Sequence, residues 1–177
     1  MQHSEKRILT THAGSLPRPA PLADMLARVS RHEPVDNTAL EQAIEESTRR
    51  VVRMQADCGI DVGNNGEQAR ESFFTYVQHR MSGFGGRSER PRLADVWTYP
   101  TFLKILLPFR DAIKVDLLHA PQAIGEVRYS DRGAVAKECD GFLRIVSETR
   151  PGFAECFMTS PSPGIIAQQC STRIIPV

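Results

Sequence analysis

The sequence predicts an α/β fold, in which buried strands alternate with amphipathic helices along the chain. An apolar run at 59–62 follows a long amphipathic helix, and a second helix between 131 and 146 is followed by an apolar run at 153–158. The first run enters a glycine- and asparagine-rich turn at 63–66, and Glu67 comes next. Side chains at the carboxyl ends of parallel strands meet ligands, which makes Glu67 the first candidate functional residue. The alternative is that Glu67 only complements the dipole of a following helix.

Composition and charge narrow the class of partner. The 22 lysines and arginines and the 21 acidic residues give a net charge of +1, which offers no electrostatic basis for binding nucleic acid or an anionic membrane. No apolar run approaches the ~20 residues of a membrane span. The four cysteines, at 58, 139, 156 and 170, are far apart and no secretion signal precedes them, which indicates a reduced, cytoplasmic protein. We therefore expect a small molecule as the partner.

The first 60 residues contain one predicted strand and two predicted helices. A β-prone run at 8–11 is followed by a segment at 12–19 whose prolines and glycine exclude both helix and strand. Apolar residues at helical spacing predict a helix over 22–29. The second helix is predicted to begin at a capping box formed by Thr38 and Glu41, and it ends before Gly59.

The remaining elements are predicted from periodicity and turn residues. Apolar spacing predicts a helix over 68–80, and a stretch rich in Gly, Arg and Pro predicts an exposed loop over 82–92. Alternation predicts a strand at 113–117, which could pair with a strand at 124–129. Asp131 is expected to cap the next helix. The apolar stripe of that helix is Val135, Cys139, Phe142, Leu143 and Val146.

These elements are expected to form only part of a barrel. A complete (β/α)8 TIM barrel needs about 250 residues, whereas this chain has 177. The apolar runs at 8–11, 60–62 and 153–158 correspond to the first three or so of its eight strands. Three strands cannot close a barrel and would leave an unpaired edge. We therefore predict that residues 1–167 are the N-terminal part of a TIM-barrel domain.

Two motifs connect the predicted barrel to a known family. Residues 8–18 read Ile-Leu-Thr-Thr-His-Ala-Gly-Ser-Leu-Pro-Arg, and residues 59–67 end in Asn-Gly-Glu. This pair resembles the catalytic half of cobalamin-independent methionine synthase and its short relatives, in which one strand ends in a Gly-Ser-Phe/Leu-Pro loop and a later one in a His-Gly-Glu turn. Segments 120–127 and 157–164 are also similar to that family. The resemblance implies a barrel of the methionine synthase/uroporphyrinogen decarboxylase-like type.

The resemblance also implies an activity and a substrate site. The family transfers a methyl group from 5-methyltetrahydropteroyl-glutamate, a methylated folate, to the sulfur of homocysteine, and zinc holds that sulfur as the nucleophilic thiolate. By this resemblance, the backbone of Ala13 and Gly14 and the hydroxyl of Ser15 bind the carboxylate of a homocysteine-like thiol amino acid. Glu67 pairs with its ammonium group. These four residues are substrate-binding candidates, and no catalytic residue is assigned.

Departures from the family pattern leave other functions open. Asn65 stands where the folate-dependent relatives have His, and Leu118 and His119 replace an Arg-Cys pair that lies near the folate there. The methyl donor therefore stays open. One alternative is a thiol alkyltransferase of the same barrel family, which opens epoxides with coenzyme M. The other is a non-catalytic fragment that only binds a small amino acid.

The zinc ligands of the family have no counterpart in this sequence. They are a His-x-Cys pair, a Glu and a distant Cys from later strands, whereas the histidines and cysteines here are scattered. Zinc is expected for the full-length family, and no metal ligand is assigned in this chain. Residues 168–177 lack periodicity and do not resemble the family. We expect them to be a frameshifted or non-native tail, and the chain to be inactive in methyl transfer.

Overall fold

The computed structural model describes residues 3–88, 98–105, 120–150 and 152–172. These ranges contain both helices and strands, which confirms the predicted α/β class. The elements are α1 (Ala20–Ser30), α2 (Asn37–Asp57), β1 (Val62–Asn64), a 3-10 helix (Thr75–His79), β2 (Met81–Gly85), β3 (Gln122–Tyr129), α3 (Gly133–Glu148), β4 (Glu155–Phe157) and α4 (Pro163–Gln169). Residues 100–105 are also helical. Among the described helices, none combines the length and the apolar sequence that crossing a membrane requires.

Three parallel segments lie side by side, with β1 in the middle. On one side, β1 pairs with β4 in parallel, with Val62 opposite Glu155. On the other side, Thr11 forms a parallel bridge with Val62, and the carbonyl of Thr10 accepts a hydrogen bond from the Val62 amide. The loops that follow these three segments therefore leave from the same edge.

The helices cover this parallel unit and bury its core. Helix α2 packs against α1, α3 and β1. Burial of the Cys156 thiol raises its pKa, as expected for a neutral packing residue. One cluster of this core consists of the buried residues Val52, Phe142 and Ile145, and four partly buried side chains pack against it: Val146, Phe153, Cys156 and Met158.

The predicted helix over 68–80 is wrong. Residues 66–69 form a turn, and only Thr75–His79 are helical, as a short 3-10 helix. The Thr75 amide donates to Ser72 Oγ at 3.0 Å, and the two hydroxyls are hydrogen-bonded to each other. Such side-chain bonds give the backbone an alternative to the helical ladder, which the apolar spacing did not reveal.

The predicted loop over 82–92 is wrong at its start. Strand β2 covers Met81–Gly85 and pairs antiparallel with β3, with a shift in register between Ser82 and Phe84. A Cβ on Gly83 would lie 2.4 Å from the carbonyl oxygen of Glu126, so the glycine allows the close pairing. Residues 89–92 and the predicted strand at 113–117 lie outside the described residues.

Three other predictions hold wholly or in part. The run at 8–11 contributes a single bridge at Thr11 rather than a strand. Asp131 Oδ1 accepts from the amides of Gly133 and Ala134, as predicted for the start of α3. The apolar stripe of α3 is shifted, because Leu143 is 59% exposed while Phe142 is buried.

Candidate functional site

The chain reverses sharply at the carboxyl end of β1. Asn64 Oδ1 accepts from the Gly66 amide at 2.9 Å, and Asn65 Oδ1 accepts from the Glu67 amide at 3.1 Å. Gly66 and Glu67 both have positive φ, at 58° and 56°. The two asparagine side chains thus hold two consecutive left-handed residues in place, and the second of these residues carries the carboxylate.

Buried amides attach this turn to the rest of the fold. Gln55 of α2 donates to the Asn64 carbonyl at 2.8 Å and accepts from the Asn64 amide at 3.1 Å. Gln68 Nε2 donates to the carbonyls of Leu16 and Gly66, and its Oε1 accepts from Ser47 at 2.6 Å. Because these buried groups are paired, the turn has a defined position against α2.

The loop after residue 11 lies against the same turn. The Leu16 amide donates to the carbonyl of Gly66 at 3.0 Å, and Asn64 Nδ2 donates to the carbonyl of His12 at 2.5 Å. Gly14 has a φ of 95°, a conformation that favours glycine. These contacts bring Ser15, next to Gly14, to Glu67.

Ser15, Glu67 and Thr159 meet at the shared edge of the three parallel segments. Ser15 Oγ donates to Glu67 Oε2 at 2.5 Å, and Thr159 Oγ1, which follows β4, donates to Glu67 Oε1 at 2.8 Å. Glu67 is 2% exposed, whereas Ser15 and Ala13 are exposed. The structure thus brings the predicted pair together and adds Thr159, which sequence reasoning did not select.

The Glu67 carboxylate has an unusual set of partners. Within the described ranges, its two oxygens accept from hydroxyl groups and form no ion pair. Arg18 Nη2 donates instead to the main-chain carbonyls of Glu67 and Arg70, at 2.6 Å each. Burial lowers the pKa of Arg18, and the nearby carboxylates of Glu67 and Glu71 oppose that shift. The Arg18 guanidinium therefore hydrogen-bonds to the backbone of the turn, and among the described residues no cationic group donates directly to the Glu67 carboxylate.

A second buried cluster lies behind Glu67. Glu138 of α3 forms ion pairs with Arg70 Nε at 3.0 Å and with Arg80 Nη2 at 2.6 Å. Both guanidinium groups lie over the ring of Tyr76, 4.6 and 4.8 Å from its centroid. Arg70, Arg80 and Tyr76 also line a 780 Å³ cavity between the β2–β3 pair and α3. Glu138 was not predicted as a site residue.

The described residues do not fit a zinc ion. They include no group of three or more His, Cys, Asp or Glu side chains placed to hold a metal.

Comparison with known proteins gives relatives of one kind, although no family model matches the chain. A methionine synthase of Sulfolobus acidocaldarius is 37% identical over 75 residues, which are 42% of this chain and 22% of that protein. A 5-methyltetrahydropteroyltriglutamate–homocysteine methyltransferase of Thermosynechococcus vestitus is 33% identical over 75 residues, 42% of this chain and 10% of that protein.

A solved structure extends the similarity to most of the chain. It is a B12-independent methionine synthase from Shewanella sp. W3-18-1 in complex with selenomethionine, with a TM-score of 0.62 and 20% identity over 92% of this chain and 40% of that one. At that identity, the similarity concerns the fold alone. The chain spans less than a quarter of either curated relative. The resemblance to cobalamin-independent methionine synthase is thus confirmed: sequence relatives of part of this chain carry that name, and its α/β fold is similar to that of such an enzyme.

Proposed function

We propose that Ala13, Gly14, Ser15 and Glu67 bind the amino-acid end of a homocysteine-like thiol in a methionine synthase-like methyltransferase. One observation carries the proposal: Glu67 is buried and its carboxylate accepts only from the hydroxyls of Ser15 and Thr159 within the described ranges. Arg18 is nearby but hydrogen-bonds to main-chain carbonyls, so a ligand ammonium would give this buried carboxylate a direct cationic partner. The Shewanella enzyme was solved with an amino acid bound, which supports this ligand class.

The exposed side of the site suits the ligand carboxylate. Ser15 is exposed and its hydroxyl donates to Glu67. Once an ammonium group pairs with Glu67, this hydroxyl is released to donate to the carboxylate of the same ligand. Ala13 and Gly14 directly precede it, and Gly14 has the positive φ that a sharp loop requires.

The wider activity belongs to the same proposal. The name of the Thermosynechococcus relative describes methyl transfer from a methylated folate to homocysteine, and that of the Sulfolobus relative describes methionine synthesis. In this chain, the described residues supply recognition of the amino acid, and no zinc site is derived from them. Methionine formation from homocysteine and a methylated folate in the presence of zinc tests whether the chain itself catalyses transfer or only binds the amino acid.

The proposed architecture is the N-terminal part of a TIM barrel over residues 1–167. The parallel order of Thr11, β1 and β4, with helices between them, supports this arrangement. The assignment of 168–177 as a non-native tail stays a prediction, and Thr172 forms a bridge with Ala123. A cytoplasmic location is part of the proposal, supported by the four free cysteines.

The alternative thiol, coenzyme M, fits these contacts less well. It carries a sulfonate and no ammonium group, so a buried anionic Glu67 would repel it rather than pair with it. The geometry therefore favours an amino acid over this alkyltransferase substrate.

Isothermal titration calorimetry with two ligands tests the site. The purified chain is titrated with L-methionine and with the analogue that lacks the α-ammonium group. A hydrogen bond to a charged group contributes about 1.5–3 kcal/mol, so we expect methionine to bind about 10- to 100-fold more tightly. Glu67→Gln should abolish this preference, and Glu46→Gln, an exposed substitution on α2 with the same change in charge, should retain it.

Equal affinity of the wild-type chain for both ligands would contradict the proposal. So would a Glu67→Gln variant that keeps the preference for the ammonium group.

A further inference from the structure

We infer that Glu138 is a positioning residue for Glu67, and that it makes the site selective for a ligand with an ammonium group. The selectivity rests on the proposed function, whereas the positioning rests on contacts in the structure. Two separate chains of contacts run from Glu138 to Glu67, one to the backbone and one to the carboxylate.

The first chain of contacts passes through Asn65. Asn65 Nδ2 donates to Glu138 Oε1 at 3.2 Å, and Asn65 Oδ1 accepts from the Glu67 amide at 3.1 Å. An amide side chain has one accepting and one donating end. Because Glu138 can only accept, it turns the donating end toward itself and the accepting end toward Glu67, whose φ of 56° needs such support.

The second chain of contacts passes through Arg70 and Thr159. Arg70 Nε pairs with Glu138 at 3.0 Å, and its Nη1 donates to the carbonyl of Thr159 at 2.5 Å. The hydroxyl of Thr159 donates in turn to Glu67 Oε1 at 2.8 Å. Glu138 therefore fixes one of the two hydroxyl groups that hold the carboxylate.

Glu138 also controls where the buried positive charge lies. Its side chain is 7% exposed and pairs with both Arg70 and Arg80. Arg70 and Glu67 both contact Thr159, so they are close neighbours. With Glu138 as its partner, the Arg70 guanidinium is held away from Glu67, and the Glu67 carboxylate stays available for a cation of the ligand.

Two variants of Glu138 separate these roles. Glu138→Ala removes both chains of contacts, so we expect faster hydrogen exchange at the Glu67 amide and about a tenfold or greater loss of the preference for methionine over its desamino analogue. Glu138→Gln keeps an acceptor for Asn65 but lacks the charge that holds Arg70. It should retain amide protection and lose the ligand preference, because Arg70 then competes for Glu67.

Glu148→Ala is the matched control. Glu148 lies on the same helix, and its ion pair with Arg49 is exposed. This variant should keep both the amide protection and the ligand preference of the wild type. Far-UV circular dichroism and urea unfolding confirm that each variant is folded.

The outcomes separate this inference from the proposed function. If the wild type shows no preference for the ammonium group, the proposed function fails and the selectivity role of Glu138 fails with it; exchange at the Glu67 amide still tests positioning. Unchanged amide exchange in a folded Glu138→Ala variant overturns the positioning role, as does loss of the fold in both variants. A wild-type ligand preference in both variants overturns the selectivity role.

Discussion

Gly66 shows how a single backbone position determines the place of the Glu67 carboxylate. Its φ is 58°, and a Cβ there would lie 3.0 Å from Leu16 Cβ in the loop that carries Ser15. Gly66→Ala would therefore combine an unfavourable backbone conformation with a clash against that loop. We expect a loss of about 2 kcal/mol in the free energy of unfolding, measured by urea denaturation.

Gly141 offers a matched control for this substitution. It lies inside α3, and a Cβ there meets nothing within 4 Å. Gly141→Ala should raise stability by about 0.5–1 kcal/mol, because alanine loses less backbone entropy in a helix. If Gly66→Ala leaves the free energy of unfolding unchanged or raises it, the left-handed conformation of the turn at Gly66 is wrong.

The residues of the site differ in how readily the sequence alone identifies them. Glu67 was predicted because it directly follows a glycine-rich turn after an apolar run, whereas Ser15 was assigned from the family resemblance of the Gly-Ser-Leu-Pro loop that contains it. Thr159 follows the end of β4, so the same reasoning about strand ends could have selected it. Glu138 lies in mid-helix, and only the packing of α3 against the turn reveals its role.

At the scale of an element, the start of α2 differs from its prediction. The capping box predicted at Thr38 and Glu41 is replaced by Asp36, whose carboxylate accepts from the amides of Thr38 and Ala39 at 2.9 and 3.2 Å. Both residues suit the N-cap position, so propensity alone did not choose between them. The helix starts one residue before Thr38, at Asn37.

A pair of substitutions tests this cap. Asp36→Ala should lower the free energy of unfolding by about 1 kcal/mol, because two amides at the start of α2 lose their acceptor. Thr38→Ala should be neutral or slightly stabilising, because alanine is favoured inside a helix. Chemical denaturation measures the free energy of unfolding of both variants. A larger loss for Thr38→Ala than for Asp36→Ala would contradict the Asp36 cap and support the capping box predicted at Thr38.

Elements with strong periodicity were predictable, whereas those set by side-chain bonds or tertiary pairing were not. The helix predicted over 22–29 is found as α1, with one apolar stripe on the core. The segment 68–80 has similar spacing, but the hydrogen bonds of Ser72 and Thr75 interrupt it. Strand β2 forms through its pairing with β3, which lies about 40 residues further along the chain and leaves no local signal.

At the scale of the whole molecule, the site depends on how the helices are joined to the parallel strands. Ser15, Glu67 and Thr159 follow three different parallel segments, so their contacts persist only if those segments stay in register. The core of Val52, Phe142 and Ile145 joins α2 and α3, and residues next to and within β4 pack against it. The stability of this core therefore also maintains the geometry at Glu67.

Two neighbouring residues of α3 test this dependence. Phe142 is 5% exposed in the core and Leu143 is 59% exposed, although the sequence placed both on one apolar stripe. Phe142→Ala should cost about 3–5 kcal/mol, because it leaves a cavity between α2 and β4, whereas Leu143→Ala should stay within about 0.5 kcal/mol of the wild type. Urea unfolding followed by circular dichroism measures both. Equal losses in the free energy of unfolding for the two variants would mean that α3 packs on the strands through a different face. The contacts of Glu138 with Asn65 and Arg70 would then be wrong as well.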